Sequence, residues 1–117
     1  MANNFKNAFA TNVSTNSGAP TDVYTSNDGS SNVKSILIEL EIANTGNSAV
    51  NVTVLIEDSS GSGTPSYHIV KNAPVPVGST LKVVSGQKIV LDQADKVKVY
   101  ATASTVDVIA SILEGVT

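Results

Sequence analysis

His68 is the one histidine among the 117 residues, and it sits beside Tyr67. A catalytic imidazole needs a nucleophile or a carboxylate held within hydrogen-bond reach. Nothing at a recognisable spacing supplies that partner, so His68 reads as an ordinary strand or surface histidine. Glu39 and Glu41 are the next candidates. In an extended strand they share a face with roughly 7 Å between their Cα atoms, inside the range of about 5–9.5 Å over which glycosidase carboxylates cooperate. General acid chemistry also requires a pocket that raises one carboxyl pKa, and an outward strand face provides none. The pair therefore reads as a solvated face. Asp92 to Asp95 and Asn27-Asp28-Gly29 offer oxygens that suit Ca2+, but neither repeats acidic ligands as a dedicated calcium loop does. Both are accounted for as turns. The chain has no Cys, which removes thiol chemistry, disulfides and most zinc sites. No Gly-rich loop opens a helix, so no phosphate cradle is indicated. The expectation is a non-enzymatic protein with no cofactor and no metal site.

Composition narrows the partners. Charged residues are 15% of the chain, against about 25% in typical soluble domains. The net charge is -3, and all seven basic residues are Lys. Nucleic-acid binding needs a basic surface and usually Arg at bidentate contacts, so that class of partner is excluded. No apolar run approaches the roughly 18–20 residues of a membrane helix. Met1-Ala2-Asn3-Asn4-Phe5-Lys6 lacks the charged-then-apolar pattern of a secretory leader, so the expectation is synthesis in a cytoplasm with no membrane partner. Polarity comes mainly from Ser, Thr and Asn, which are cheaper to dehydrate than Lys and Glu; on composition alone that suits packing into an assembly and equally a soluble sandwich with a Ser/Thr/Asn surface. A sugar-binding sandwich would need an aromatic platform. Aromatics are only 4% with no Trp, so Tyr24, Tyr67 and Tyr100 would have to converge.

The elements that position these residues are strands. From Val33 to Asp58, Ile36, Ile38, Leu40 and Ile42 answer Val50, Val52, Val54 and Ile56 across a loop at Asn44-Thr45-Gly46-Asn47. Strict period two on both sides of a Gly-containing loop predicts an antiparallel hairpin with one buried face. It pairs Ile36 with Ile56, Ile38 with Val54, Leu40 with Val52 and Ile42 with Val50. A bulged-turn variant with Gly46 left-handed keeps the same parity. The outward face then holds Ser35, Leu37, Glu39, Glu41, Asn51, Thr53, Leu55 and Glu57. Leu37 and Leu55 become neighbours there, either covered by an arm or loop of the same chain or facing a partner subunit.

Residues 1–19 read as an N-terminal extended arm in which Phe5, Phe9 and Val13 lie to one side, docking on its own sandwich or on a neighbour. Residues 20–117 read as the sandwich domain. Thr21–Thr25 is a short strand and Asn27-Asp28-Gly29-Ser30 a turn. Ser59–Pro65 is a loop. Tyr67–Asn72 is a strand, and Ala73–Gly78 is an edge or crossing segment because Pro cannot donate to a central ladder. Thr80–Val84, Lys88–Leu91, Lys96–Ala103 and Val106–Glu114 complete the set, with turns at Ser85-Gly86-Gln87, Asp92–Asp95 and Ser104-Thr105. The last strand is apolar on both faces, which places it inside a sheet. The fold class is all-β: an antiparallel two-sheet β-sandwich of about eight strands, jelly-roll or immunoglobulin-like.

The order Phe5-Lys6-Asn7-Ala8, Val23-Tyr24-Thr25, the hairpin through Ile42-Ala43-Asn44-Thr45, and Lys71 through Leu81 resembles small structural proteins of tailed phages, especially those of cyanobacterial and marine hosts. Lys88–Leu91, Asp95–Val99, Val106–Val108 and Ser111–Glu114 continue the likeness over nearly the whole chain. The resemblance implies a virion structural protein made in the host cytoplasm, with no catalytic residues. Within that class it implies first a head decoration or cement protein, a homo-oligomer and specifically a trimer. Such a protein would bind the major capsid protein or other virion proteins. Next come a neck, tail or baseplate subunit, and then a carbohydrate-binding adhesion module. Phe5, Phe9, Val13, Leu37 and Leu55 are the interface candidates. Deletion of residues 1–13 is then expected to weaken attachment and leave the sandwich folded.

Overall fold

A computed structural model describes residues 4–26, 34–59 and 65–116. The predicted turn at Asn27–Ser30 and the Gly61/Gly63 part of the predicted loop lie outside the described residues. Eight strands run in chain order: β1 (Asn4–Thr11), β2 (Thr21–Thr25), β3 (Lys34–Asn44), β4 (Val50–Glu57), β5 (Ser66–Val75), β6 (Thr80–Leu91), β7 (Lys96–Ala101) and β8 (Val106–Val116). They form two four-stranded sheets, β1-β8-β3-β6 and β2-β7-β4-β5. All strand pairings within the sheets are antiparallel. The all-β two-sheet sandwich is the architecture the sequence predicts.

The order identifies the connection type. β4 pairs with β5, β3 with β6, β2 with β7 and β1 with β8. That is one long antiparallel ribbon folded back at β4–β5 and rolled into two layers, a jelly roll rather than an immunoglobulin sandwich. Every other sequential connection crosses from one sheet to the other.

The predicted β3–β4 hairpin is therefore wrong. β3 pairs with β6 and β8, while β4 pairs with β5 and β7. Ile36 meets Leu113 and Val90 instead of Ile56. The Asn44–Asn47 loop is a crossover whose shape comes from hydrogen bonds. The Asn44 amide donates to Ser48 O at 2.8 Å and Val75 O at 2.9 Å, and its Oδ1 accepts from Gly46 N at 2.9 Å. Gly46 is not left-handed; a Cβ there would stand 2.6 Å from Thr105 Oγ1 and 2.8 Å from Thr105 Cβ.

Strict alternation also fails along β3, because the registers to both neighbours shift between Leu37 and Glu39. A β-bulge at Ile38 reverses parity. Ser35 and Leu37 point inward before it, and Leu40, Ile42 and Asn44 after it. The predicted Ser85-Gly86-Gln87 turn is likewise a bulge within β6, opened by Gly86 at φ 89° and Lys88 at φ 59°.

Two apolar inner faces meet to form the core. It includes Leu37, Leu40, Ile42, Val50, Val52, Val54, Val84, Leu91, Val97, Val99, Val108 and Ile112. β8 lies between β1 and β3, the internal position that its two apolar faces predict. Residues 4–11 form an edge strand paired along its length with β8, from Asn4↔Glu114 to Thr11↔Asp107. Asn12, at φ 55°, ends that strand and turns the chain so that Val13 enters the core. The described part of this segment therefore lies on its own sandwich, as β1 against β8 and Val13 in the core.

Candidate functional site

The residues first suspected of chemistry are distributed by this fold onto separate surfaces. His68 is exposed on β5 opposite Leu55, at a hollow of about 310 Å³ that also includes Glu57, Lys98, Tyr100 and Pro20. Lys98 Nζ lies 2.9 Å from Glu57 and 3.5 Å from Asp22, and Lys96 lies 3.6 Å from Asp22. The hydrogen bond from Lys98 holds the Glu57 carboxyl below the ordinary glutamate range, and the same bond raises the Lys98 ammonium. The cations and carboxylates here neutralise one another. Among the described residues, no group of three His, Cys, Asp or Glu side chains is disposed to hold a metal.

Glu39 and Glu41 lie on the outer face of β3, opposite Ser85 and Lys82 of β6. Asp95 is buried and accepts from Ser59 N at 3.1 Å and Asp92 N at 3.0 Å, so this carboxylate fastens a turn. The three tyrosines do not converge. Tyr100 opposes Thr53 on the outer parity of the second sheet, whereas Tyr67 opposes Ile56 on the inner parity. Tyr24 donates its hydroxyl across the sandwich to Glu114 and lies 3.1 Å from Ser35 Oγ. Burial and that carboxylate push its pKa up to about 12.

A different surface emerges on the outer face of the first sheet. Phe5 is opposite Leu113, Leu113 opposite Ile36, and Ile36 opposite Val90. An apolar row thus crosses all four strands. Asn7, Ser111, Glu39 and Ser85 form the next row, and Phe9, Ile109, Glu41 and Lys82 the one after. Phe5 is 80% exposed, Phe9 65%, Val90 61% and Ile109 44%, far more than large apolar side chains on a covered face. Shallow hollows of about 480 and 280 Å³ flank Phe9 and Phe5. Such a surface lacks the convergent polar groups of a catalytic pocket.

Of the five interface candidates, the fold brings Phe5 and Phe9 together on this surface. Val13 and Leu37 are a correction: at 1% and 0% exposure they are core residues with nothing to offer a partner. The bulge at Ile38 is the reason for Leu37, and the turn at Asn12 for Val13. Leu55 remains on the outer parity of β4, but at 6% exposure it is buried at the hollow that Ser17, Gly18 and Pro20 also line. Sequence reasoning missed Ile36 and Val90 as surface residues. Ile109 and Leu113 carried a visible signal, the apolar second face of the last strand.

No protein-family model matches the chain, and no curated protein is similar to it in sequence. Two solved structures are similar to it. A chain of the T13 viral particle of infectious bursal disease virus (IBDV) aligns at TM-score 0.58 with 11% identity, over 97% of this chain and 31% of that one. A chain from the Gx strain of the same virus aligns at TM-score 0.39 with 10% identity, over 95% and 40%. The present chain spans about a third of the length of the first match. At that identity the first likeness is one of fold, and the second is too low to bear on it.

Proposed function

We propose that the protein is a non-enzymatic structural component of a virion, and within that class a head decoration or cement protein of a tailed phage. The observation on which this rests is the apolar outer face of the first sheet, where exposed Phe5, Phe9, Ile109 and Val90 surround half-buried Leu113 and Ile36. One apolar row, a polar row with a single carboxylate, and a third row whose charges, Glu41 and Lys82, are confined to β3 and β6 leave the β1–β8 half of these rows uncharged, which suits burial against a shell, where charge is depleted at contact centres. The fold likeness to a chain of an icosahedral virus particle supports the reading, since jelly rolls are among the folds that build viral capsids. In this reading the partner is the major capsid protein or another virion protein, and the copies act as a homo-oligomer that adds contacts between capsomers.

Copy number tests it. Quantitative peptide mass spectrometry of purified virions should find hundreds of copies per particle, in a simple ratio to the major capsid protein. A dozen or a few dozen would move the protein to the neck, tail or baseplate, where the same face would serve. Absence from the particle would remove the virion reading. Val90→Lys, placed at the edge of the face remote from β1, should weaken attachment to undecorated heads without altering the far-UV spectrum. A sugar-binding role is favoured only by the hollow at Tyr100 and His68. Saturable binding to a glycan panel, lost in Tyr100→Ala, would be its mark.

A further inference from the structure

We infer that β1 is a pairing edge for a second copy of this chain, which it meets antiparallel across a two-fold axis at Asn7. Four strands border the two sheets: β1, β6, β2 and β5. An open edge invites another strand, and proteins deter that with bulges, Pro and charges. Three of these edges carry such guards. The β2 register shifts between Asp22 and Tyr24, so Val23 is an extra residue on the edge strand. β5 shifts twice, has Asn72 at φ 53°, and includes Pro74. β6 shifts twice around Val83 and Gly86–Lys88. β1 has no shift from Asn4 to Thr11, no Pro, and one charged residue, Lys6, which faces Glu114 at 3.8 Å.

The side chains on β1 select the occupant. A two-fold axis normal to the sheet keeps the outer faces of both copies on the same side and requires each residue to oppose one of its own parity. With the axis at Asn7, Phe5 opposes the partner's Phe9 and Phe9 the partner's Phe5. Lys6 then opposes the partner's Ala8. Moving the axis to Lys6 would set two ammonium groups face to face. Moving it to Ala8 would set Phe5 against Thr11 and Phe9 against Asn7. The four-residue spacing of the two phenylalanines is thus self-complementary in one register, with two aromatic cross-strand pairs. Both rings are exposed on the single copy, at 80% and 65%. Pairing also joins the row Val90-Ile36-Leu113-Phe5 to the partner's Phe9 and Ile109, making one apolar band on an eight-stranded sheet. This contact is two-fold, in contrast to the trimer that the phage resemblance implies, and it stands whether or not the protein belongs to a virion.

The test uses the purified full chain. Sedimentation velocity across a concentration series should give twice the 12.0 kDa chain mass. Phe5→Lys with Phe9→Lys should weaken the dimer at least tenfold while circular dichroism retains the strand signal. Because the chain has no Cys, Asn7→Cys is an independent probe. Opposed residues in antiparallel strands lie at about 4.5–5.5 Å between Cα atoms, within the span of a disulfide. Mild oxidation should therefore link Asn7→Cys into a covalent dimer, and Thr11→Cys should link far less. A monomer or trimer at high concentration, or equal cross-linking at positions 7 and 11, would overturn the inference.

Discussion

Gly46 illustrates how one position is fixed by its neighbour rather than by its own backbone. Its φ is not in the left-handed region, so a side chain is excluded by space alone, with Thr105 Oγ1 and Cβ occupying the position of a Cβ. Thr105 cannot easily withdraw, because its carbonyl accepts from Thr45 N at 2.9 Å and Thr45 Oγ1 at 3.1 Å. Gly46→Ala should destabilise the fold by about 1–3 kcal/mol, the usual cost of overpacking. In urea unfolding, Gly46→Ala combined with Thr105→Gly, which removes the Cβ as well as the Oγ1 that the new methyl would meet, should lose less than the two single changes together. If the double variant is no better than the sum of the two single ones, the contact is not the cause. Asn44 beside it was legible as a loop residue, but its part in holding Val75 O was not, since that partner is 31 positions away.

Strands are the level at which the sequence was most informative, and also where its limits show. Period two located the buried set on β4 correctly, as Val50, Val52 and Val54 all point inward. It misplaced Leu37, because a bulge costs one residue of register and composition does not announce it. On the outer face of the second sheet, three strands are tied by ions: β2 through Asp22, β4 through Glu57 and β7 through Lys96 and Lys98. Glu57 is an acid whose folded pKa lies below its ordinary value of 4.5. The unfolded chain therefore binds its proton first as pH falls. The stability it contributes is complete above that ordinary value and is lost as pH falls through the lowered one. The urea midpoint should drop across that acidic window, and Glu57→Gln should flatten the drop. An unchanged acid profile in the variant would exclude Glu57 as its source.

At the scale of the molecule, the chain closes on itself from Asn4 to Glu114. The segment 1–19, which reads from sequence as an arm, supplies β1 and the core residue Val13. Deletion of residues 1–13 should consequently do more than weaken attachment. It removes an eight-residue strand from β8 and opens the core at Val13, so the shortened chain should lose its sharp cooperative urea transition. A transition of undiminished midpoint would mean that β1 is an appendage after all.

What the amino-acid sequence determined by itself was local: which stretches are extended, that they build two apolar layers without a helix, that β8 is internal, and that Phe5 and Phe9 are out of keeping with a polar tail. Alternation records that a strand has one face in the dark, and it does so with nearest neighbours alone. Tertiary structure alone decided who lies beside whom. β3 and β4 are as well matched in pattern as any hairpin, yet they belong to opposite sheets, because rolling the ribbon covers both apolar faces at once whereas a flat hairpin covers neither. The same rolling brings Ile36, Val90, Ile109 and Leu113 into line with Phe5 and Phe9. That surface is assembled from four strands distant in sequence, so no single stretch of the chain displays it.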